Sequence, residues 1–331
     1  MGEDIGIDLG TTTILINIKG KGIVLREPSV VAVNKETNEI IAIGEKAFNM
    51  LGRVPSSIEI VKPLKDGVIS NFTLTGKMIK YYIKKVCKNK LFAPRIMICI
   101  PSQITEVEKR AVIDVATEAG AKKVYLIEEP VAAAIGAGIE IQKPYGNLVV
   151  DIGGGTTDIA VISIGNSVIS TSINTAGNKF DETIMKFIKM KYKMLIGERT
   201  AENIKMNIGC VFPRVEDKEM IIRGINLQTG LPMQMNLNSR DILQPLQNDA
   251  MKIVDGIIEA LEKTPSELVE DISNRGIYLT GGGSLIYGMD KLIQQKTKIK
   301  VMVADDAISC VAIGTGKALN NLNLLDKKNI K

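Results

Sequence analysis

One pattern occurs twice in this chain, and its repetition limits the fold more than any other feature. Ile5-Gly6-Ile7-Asp8-Leu9-Gly10-Thr11-Thr12-Thr13-Ile14-Leu15-Ile16 is echoed by Val149-Val150-Asp151-Ile152-Gly153-Gly154-Gly155-Thr156-Thr157-Asp158-Ile159-Ala160-Val161. Each copy is an apolar strand carrying an aspartate, a glycine and threonine turn, and a second apolar strand, the pattern of a β-hairpin. Asp8 and Asp151 lie 143 residues apart, too far for a solenoid repeat and suited to two similar domains in tandem. The 331 residues, 45% of them apolar, are enough for one large domain or for two of ordinary size, each with its own core. Strand-like and helix-like patterns alternate through most of the length, which predicts an α/β architecture.

Side-chain alternation puts Ile5, Ile7 and Leu9 on one face of the first strand and Gly6, Asp8 and Gly10 on the other. The glycines leave room beside the carboxylate, and the turn offers unobstructed amides and threonine hydroxyls to a phosphate oxygen. The second turn, richer in glycine, is the better cradle. Two such turns facing across a cleft would grip a polyphosphate from both sides. Asp8 and Asp151 would then place Mg²⁺ through its waters, because that ion dehydrates reluctantly. Either hairpin alone reads as well as a tight turn whose aspartate bonds its own backbone; the shared order favours the clamp. A third cluster, Gly281-Gly282-Gly283-Ser284, follows the strand-like Ile277-Tyr278-Leu279-Thr280 and opens a helical pattern. Its amides would face an anion or a nucleotide's sugar and base, unless the segment is only a connector.

Other chemistries are excluded. The chain has no histidine, so a Ser-His-Asp triad, a Cys-His dyad, a His-ligated metal and a histidine pH switch are impossible. There is no GxxxxGK[ST]; Gly314-Thr315-Gly316-Lys317 lacks both its spacing and its hydroxyl residue. No GxGxxG follows a strand, and protein-kinase motifs are absent. Cys87, Cys99, Cys210 and Cys310 form no CxxC pair and read as reduced, packed thiols. No leader segment is expected before the first strand, and no run of about 18 apolar residues could span a bilayer.

Local signals predict several helices. Thr105 and Glu108 have capping-box spacing, and Thr264-Pro265-Ser266-Glu267 combines a cap, a first-turn proline and the reciprocal glutamate. Phe180, Ile184, Phe187 and Ile188 form a core-facing stripe.

The two hairpins and the late Gly-Gly-Gly-Ser turn resemble the phosphate and adenosine motifs of the superfamily of actin, sugar kinases and heat-shock chaperone ATPases. Within it the chain resembles the MreB family of bacterial actin homologues, closest to its Mbl branch. That resemblance runs nearly end to end, through Gly20-Lys21-Gly22-Ile23-Val24, Glu27-Pro28-Ser29-Val30-Val31, Pro63 to Ile69, Ile127-Glu128-Glu129-Pro130, Ile196 to Glu202 and Leu279 to Ser284. It implies an actin-like ATPase fold, two ribonuclease-H-like α/β domains around a nucleotide cleft, each with a small insertion. The implied parts are 1–31, 66–141 and 312–331 for subdomain IA, 32–65 for IB, 142–180 and 245–311 for IIA, and 181–244 for IIB.

The resemblance also assigns roles. Thr11, Thr12, Thr13, Gly153, Gly154, Gly155 and Thr156 line the phosphates of ATP, while Asp8 and Asp151 serve Mg²⁺. Thr280, Gly281, Gly282 and Gly283 border the adenosine. The segment Glu202, Asn203, Ile204 and Lys205 supplies purine and ribose contacts, although Glu202 and Lys205 also read as an i,i+3 ion pair. Glu129 orients the attacking water with Thr156 as helper; a carboxylate before Pro130 would equally suit a helix N-terminus. Two departures stand out. Thr13 replaces the usual asparagine of Gly-Thr-Ala-Asn, and Pro245 falls where the family has a continuous helix, so that helix should start late or kink.

The net charge of +5 is unevenly placed. Lys77, Lys80, Lys84, Lys85, Lys88, Lys90 and Arg95 lie together without an acidic residue, leaving the remainder slightly negative. Leu91-Phe92 ends this segment, and a basic patch with an apolar tip suits an anionic lipid surface; the alternative is a solvated helix face with both residues buried. MreB-like proteins insert a hydrophobic loop there. Nucleic acid is not expected as a partner despite Tyr81 and Tyr82, because no recognised module appears. The function implied is that of a slowly hydrolysing ATPase forming filaments, paired and antiparallel, on the inner membrane face. There it would organise cell-wall synthesis with membrane-anchored cell-shape proteins. A small-metabolite kinase on the same fold is the alternative.

Overall fold

The computed structural model describes residues 3–87 and 93–321. The first echoed segment forms β1 (Asp4–Leu9) and β2 (Thr13–Ile18), an antiparallel hairpin with Asp8 opposite Leu15. There follow β3 (Gly22–Pro28), β4 (Val31–Asn34), β5 (Ile40–Ile43), α1 (Glu45–Met50), β6 (Ile58–Val61), β7 (Leu64–Lys65) and β8 (Val68–Ile69). The half is completed by α2 (Phe72–Val86), β9 (Arg95–Ile100), α3 (Glu106–Glu118), β10 (Lys123–Glu128) and α4 (Glu129–Gly136).

The second echoed segment starts an equivalent half with β11 (Asn147–Ile152), β12 (Thr157–Ser163), β13 (Asn166–Ile173), α5 (Gly177–Tyr192), β14 (Met194–Leu195) and α6 (Glu198–Ile208). It continues through β15 (Glu219–Asn226), β16 (Pro232–Asn238), α7 (Ser239–Glu262), α8 (Ser266–Arg275), β17 (Ile277–Thr280), α9 (Met289–Thr297), β18 (Val301–Val303) and α10 (Cys310–Ala318).

The duplication read from the two hairpins extends to the whole topology. The large sheets run β3-β2-β1-β9-β10 and β13-β12-β11-β17-β18. In both, a three-strand antiparallel meander is followed by two parallel strands. Each half carries a small antiparallel sheet, β5-β4-β6 in the first and β14-β15-β16 in the second. The partition proposed from sequence cuts three helices, since its edges at 180/181, 244/245 and 311/312 fall inside α5, α7 and α10. Helix α7 packs on β12 and β13, so its first turns continue a helix of the large sheet.

Cores form where the periodicities meet. Ile5, Ile7, Ile14, Ile16, Ile96 and Ile98 pack under Met78, Ile79, Tyr82 and Val115 in the first half. Leu148, Val150, Ile159 and Val161 pack under Phe180, Ile184, Ile188, Ile253 and Ile257 in the second. Each such side chain contributes about 1.5–3 kcal/mol when fully buried. Phe187 of the predicted stripe is only half-buried and meets Tyr192 edge-on at 6.0 Å. A third core lies between the halves, where α4 crosses α10. The crossing needs glycine: a Cβ on Gly314 would sit 1.7 Å from the Ala132 oxygen, and one on Gly136 would sit 1.8 Å from that of Cys310.

Three local expectations are corrected. Thr105 and Glu108 do form the capping box of α3. Thr264, however, caps nothing: its hydroxyl donates to the Ala260 oxygen at 2.6 Å, and α8 starts at Ser266 after Pro265. Of the late start or kink expected from Pro245, the late start does not occur: Asn238 and Asp241 form a capping box before Pro245, and the helix continues to Glu262. The Gly-Gly-Gly-Ser segment opens only a 3₁₀ turn, Gly282–Leu285, and α9 begins at Met289.

Candidate functional site

The hairpins bring their turns face to face. A Cβ on Gly154 would lie 1.9 Å from Thr12 Oγ1, and one on Gly155 would lie 2.7 Å from Thr11 Oγ1. The surrounding cleft encloses about 660 Å³, within the ordinary range of small-molecule sites. Asp8, Thr11, Thr12, Thr13, Glu129, Asp151, Gly153, Gly154, Gly155 and Thr156 all line it, as do Glu202, Lys205, Gly281, Gly282 and Gly283.

Hydrogen bonds fix the floor. The amide of Gly67 donates to Thr11 Oγ1 at 2.9 Å, and Ser29 Oγ donates to the Gly10 oxygen at 2.6 Å. Asn178 binds both turns: its N–H donates to the Gly154 oxygen at 2.8 Å, and its side-chain oxygen accepts from Thr12 Oγ1 at 3.2 Å. Thr280 is directly opposite Asp151 in the parallel β11–β17 pairing and donates its hydroxyl to Asp151 Oδ1 at 2.7 Å. It therefore positions the carboxylate and does not line the cleft, contrary to its expected place beside the adenosine.

Four acidic groups, Asp8, Asp151, Glu129 and Asp158, lie close enough to raise one another here. Burial, reinforced by Asp151, pushes Asp8 up to about 7, and burial also pushes Asp151 up to about 7. Glu129 is held well above the usual carboxylate range by burial and by the charges of Asp158, Asp8 and Asp151. Asp158 is raised by burial and accepts the Ser102 amide at 3.0 Å. Cys99 packs beneath Asp8, and its thiol is pushed well above the usual range by burial, which makes it inert. All four cysteines are free.

Helix periodicity divides the expected Glu202–Lys205 segment. Glu202, Lys205 and Met206 share the cleft face of α6, whereas Ile204 is buried in the core and Asn203 is exposed outside the cleft lining. Lys205 Nζ pairs with Asp181 at 2.7 Å and with the Gly177 oxygen at 3.0 Å. Sequence reading missed Gly67, Asn178 and Asp181, since no spacing rule links them to the motifs. The outer end of the cleft adds Arg214 and Tyr287, stacked at 4.0 Å.

The basic segment is partly neutralised. Lys85 pairs with Glu27 at 2.6 Å, and Arg95 holds Asp4 through two bonds of 2.8 and 2.7 Å. Tyr82 is fully buried and unavailable for stacking on a base. Lys88, Lys90, Leu91 and Phe92 lie outside the described residues. Among those described, no helix is long and apolar enough to cross a membrane.

A family model for MreB/Mbl protein matches residues 2–327. The chain is 51% identical over 329 residues to the cell shape-determining protein Mbl of Bacillus subtilis strain 168, covering 99% of each. It is 47% identical over 328 residues to the cell shape-determining protein MreB of Escherichia coli K12, covering 97% of this chain and 94% of that protein. The crystal structure of MreB 5 of Spiroplasma citri bound to AMPPNP superposes with a TM-score of 0.95 at 38% identity, covering 100% of this chain and 99% of the other. An ADP-bound form of that protein gives the same score. These relatives give no support to the small-metabolite kinase alternative. The duplicated topology, the paired turns and this full-length similarity make the chain a member of the MreB/Mbl family of cell shape-determining proteins, with an actin-like fold.

Proposed function

We propose that this chain binds ATP with Mg²⁺ between its two hairpin turns, hydrolyses it slowly, and polymerises into paired antiparallel protofilaments. These filaments lie on the inner membrane face and organise cell-wall synthesis with membrane-anchored cell-shape proteins. The observation that carries the reading is the convergence of both phosphate turns, Asp8, Asp151 and Glu129 in one cleft. The AMPPNP- and ADP-bound forms of Spiroplasma citri MreB 5 support it.

The residues suit Mg²⁺. Among the described residues no three His, Cys, Asp or Glu side chains cluster to cage an ion, and Mg²⁺ typically takes one or two carboxylates plus substrate phosphates. Asp8 and Asp151 would provide those carboxylates, and burial pushes both up to about 7. When bound, the ion neutralises charge on the phosphates. Turn amides and the Thr11 to Thr13 hydroxyls hold the phosphate oxygens, and Lys205 and Glu202 address the ribose and purine. Glu129 accepts a hydrogen bond from the attacking water and orients it, with Thr156 beside it; its buried carboxyl is a strong base once ionised. Lys77, Lys80 and Lys84 are exposed on α2 and precede Leu91 and Phe92, the proposed lipid contact, in the sequence.

Sedimentation with Mg-ATP tests polymerisation, and liposome flotation tests the membrane contact. Pelleting is expected. Failure to pellet under any nucleotide, salt or lipid condition, with sugar-stimulated turnover, would overturn the filament reading. Leu91→Ser/Phe92→Ser should abolish flotation; undiminished flotation removes the loop from the membrane contact.

A further inference from the structure

Two contacts join the small sheet of the first half to that of the second. Lys62, just past β6, places Nζ 2.7 Å from Glu198 Oε2 at the first residue of α6. Beside it, the Arg199 guanidinium stands 5.3 Å from the ring centroid of Phe48 on α1. Both contacts cross between the halves, which also meet along the cleft floor and at the α4–α10 crossing.

Each end of this bridge is tied to a wall of the site. Lys62 leads through Pro63 and β7 to Gly67, whose amide donates to Thr11 Oγ1 in the first phosphate turn. Glu198 opens the helix whose cleft face carries Glu202 and Lys205. Parting the bridge therefore separates the phosphate side from the purine side, while closing it brings both around the same ligand.

We propose that Lys62 and Glu198, backed by Phe48 and Arg199, form a latch between the two small sheets that sets how fast nucleotide leaves the cleft. They are positioning residues, and the inference rests on the nucleotide reading above. Because Lys62 and Glu198 are 42% and 52% exposed, solvent screens the pair, and such pairs shift an equilibrium by about two- to five-fold. The contrasting reading is that Glu198 serves only the dipole of its own helix. In that case changing Lys62 would have no effect.

The test is release of the fluorescent analogue mant-ATP, with Mg²⁺, from the full chain in stopped flow. Lys62→Glu should speed release about three- to ten-fold by replacing attraction with repulsion. Glu198→Lys should do the same, and the double reversal should return release to about two-fold of the unaltered rate or closer. Since the chain has no tryptophan, Phe48→Trp supplies a single tryptophan at the latch, excited apart from the tyrosines. Its emission should move to the red when Lys62→Glu is added, even without nucleotide. Retention of mant-ATP with release rates indifferent to charge reversal, or a double reversal faster than either single one, overturns the latch. If the unaltered chain retains no mant-ATP, the nucleotide reading itself falls, and the latch as a release gate falls with it. An emission shift on Lys62→Glu in that event still shows the bridge closed in solution.

Discussion

At the scale of single residues, the site is controlled by what burial does to carboxylates and by how little room the turns leave. Glu129 sits among three other acids, and removing its charge should leave nucleotide binding intact. Glu129→Gln is expected to lower ATP turnover by about 10²- to 10⁴-fold with little change in ATP affinity, measured by phosphate release and titration. Loss of affinity without loss of turnover would make Glu129 a binding group. Gly154→Ala adds a methyl carbon 1.9 Å from Thr12 Oγ1, so the turns must separate and ATP affinity should fall at least ten-fold. Gly76→Ala is the control. Its added Cβ meets nothing closer than Val115 at 4.0 Å, so it should raise stability by about 1 kcal/mol and leave ATP affinity unchanged. Asp8, Asp151 and the turn residues were legible as sequence because the two hairpin copies repeat the same order, whereas Glu129 was reached only through the family resemblance. Asn178 was not, because its link to Thr12 spans two domains that only folding brings together.

At the scale of elements, local chemistry predicted helix starts well where the cap and the helix share a segment. The α3 capping box is such a case, and Thr105→Ala should cost about 1 kcal/mol in chemical unfolding. Thr264 shows the limit: its hydroxyl found the last turn of α7 before it could serve α8. Pro245 shows another. Two turns of helix precede it because the Asn238–Asp241 box anchors the start and Ile242 and Leu246 are buried in the core. Packing outweighs a penalty of about 3 kcal/mol for an interior proline. Pro245→Ala should therefore raise the unfolding midpoint, and an unchanged midpoint would mean the local backbone has already adapted. The split of α6 was readable in principle, since Glu202 and Lys205 share a helical face that excludes Asn203 and Ile204.

At the scale of the whole molecule, the proposed site would couple protonation to ligand binding. Asp8 and Asp151 titrate near 7 when folded against 3.8 for the free side chain. Between those values the ligand-free folded chain holds protons that the unfolded chain has lost, so their contribution to stability declines as pH rises from about 4 to about 7. Mg²⁺ favours the ionised pair. The rise in unfolding temperature on adding Mg-ATP should therefore grow between about pH 5.5 and pH 8, and Asp8→Asn/Asp151→Asn should flatten that trend. A rise independent of pH in the unaltered chain would remove these carboxylates from the metal site.

The sequence by itself determined the duplication, the α/β class, the two glycine and threonine turns and the exclusion of histidine chemistry, because these depend on local periodicity and residue type. Only the tertiary structure decided that the halves share an identical five-strand order, that Thr280 steadies Asp151, and that Lys205 pairs with Asp181. It also located the latch at Lys62 and Glu198, 136 residues apart. Contacts of that kind depend on how two separately folded sheets are set against each other across α4 and α10, and no spacing along the chain records that arrangement.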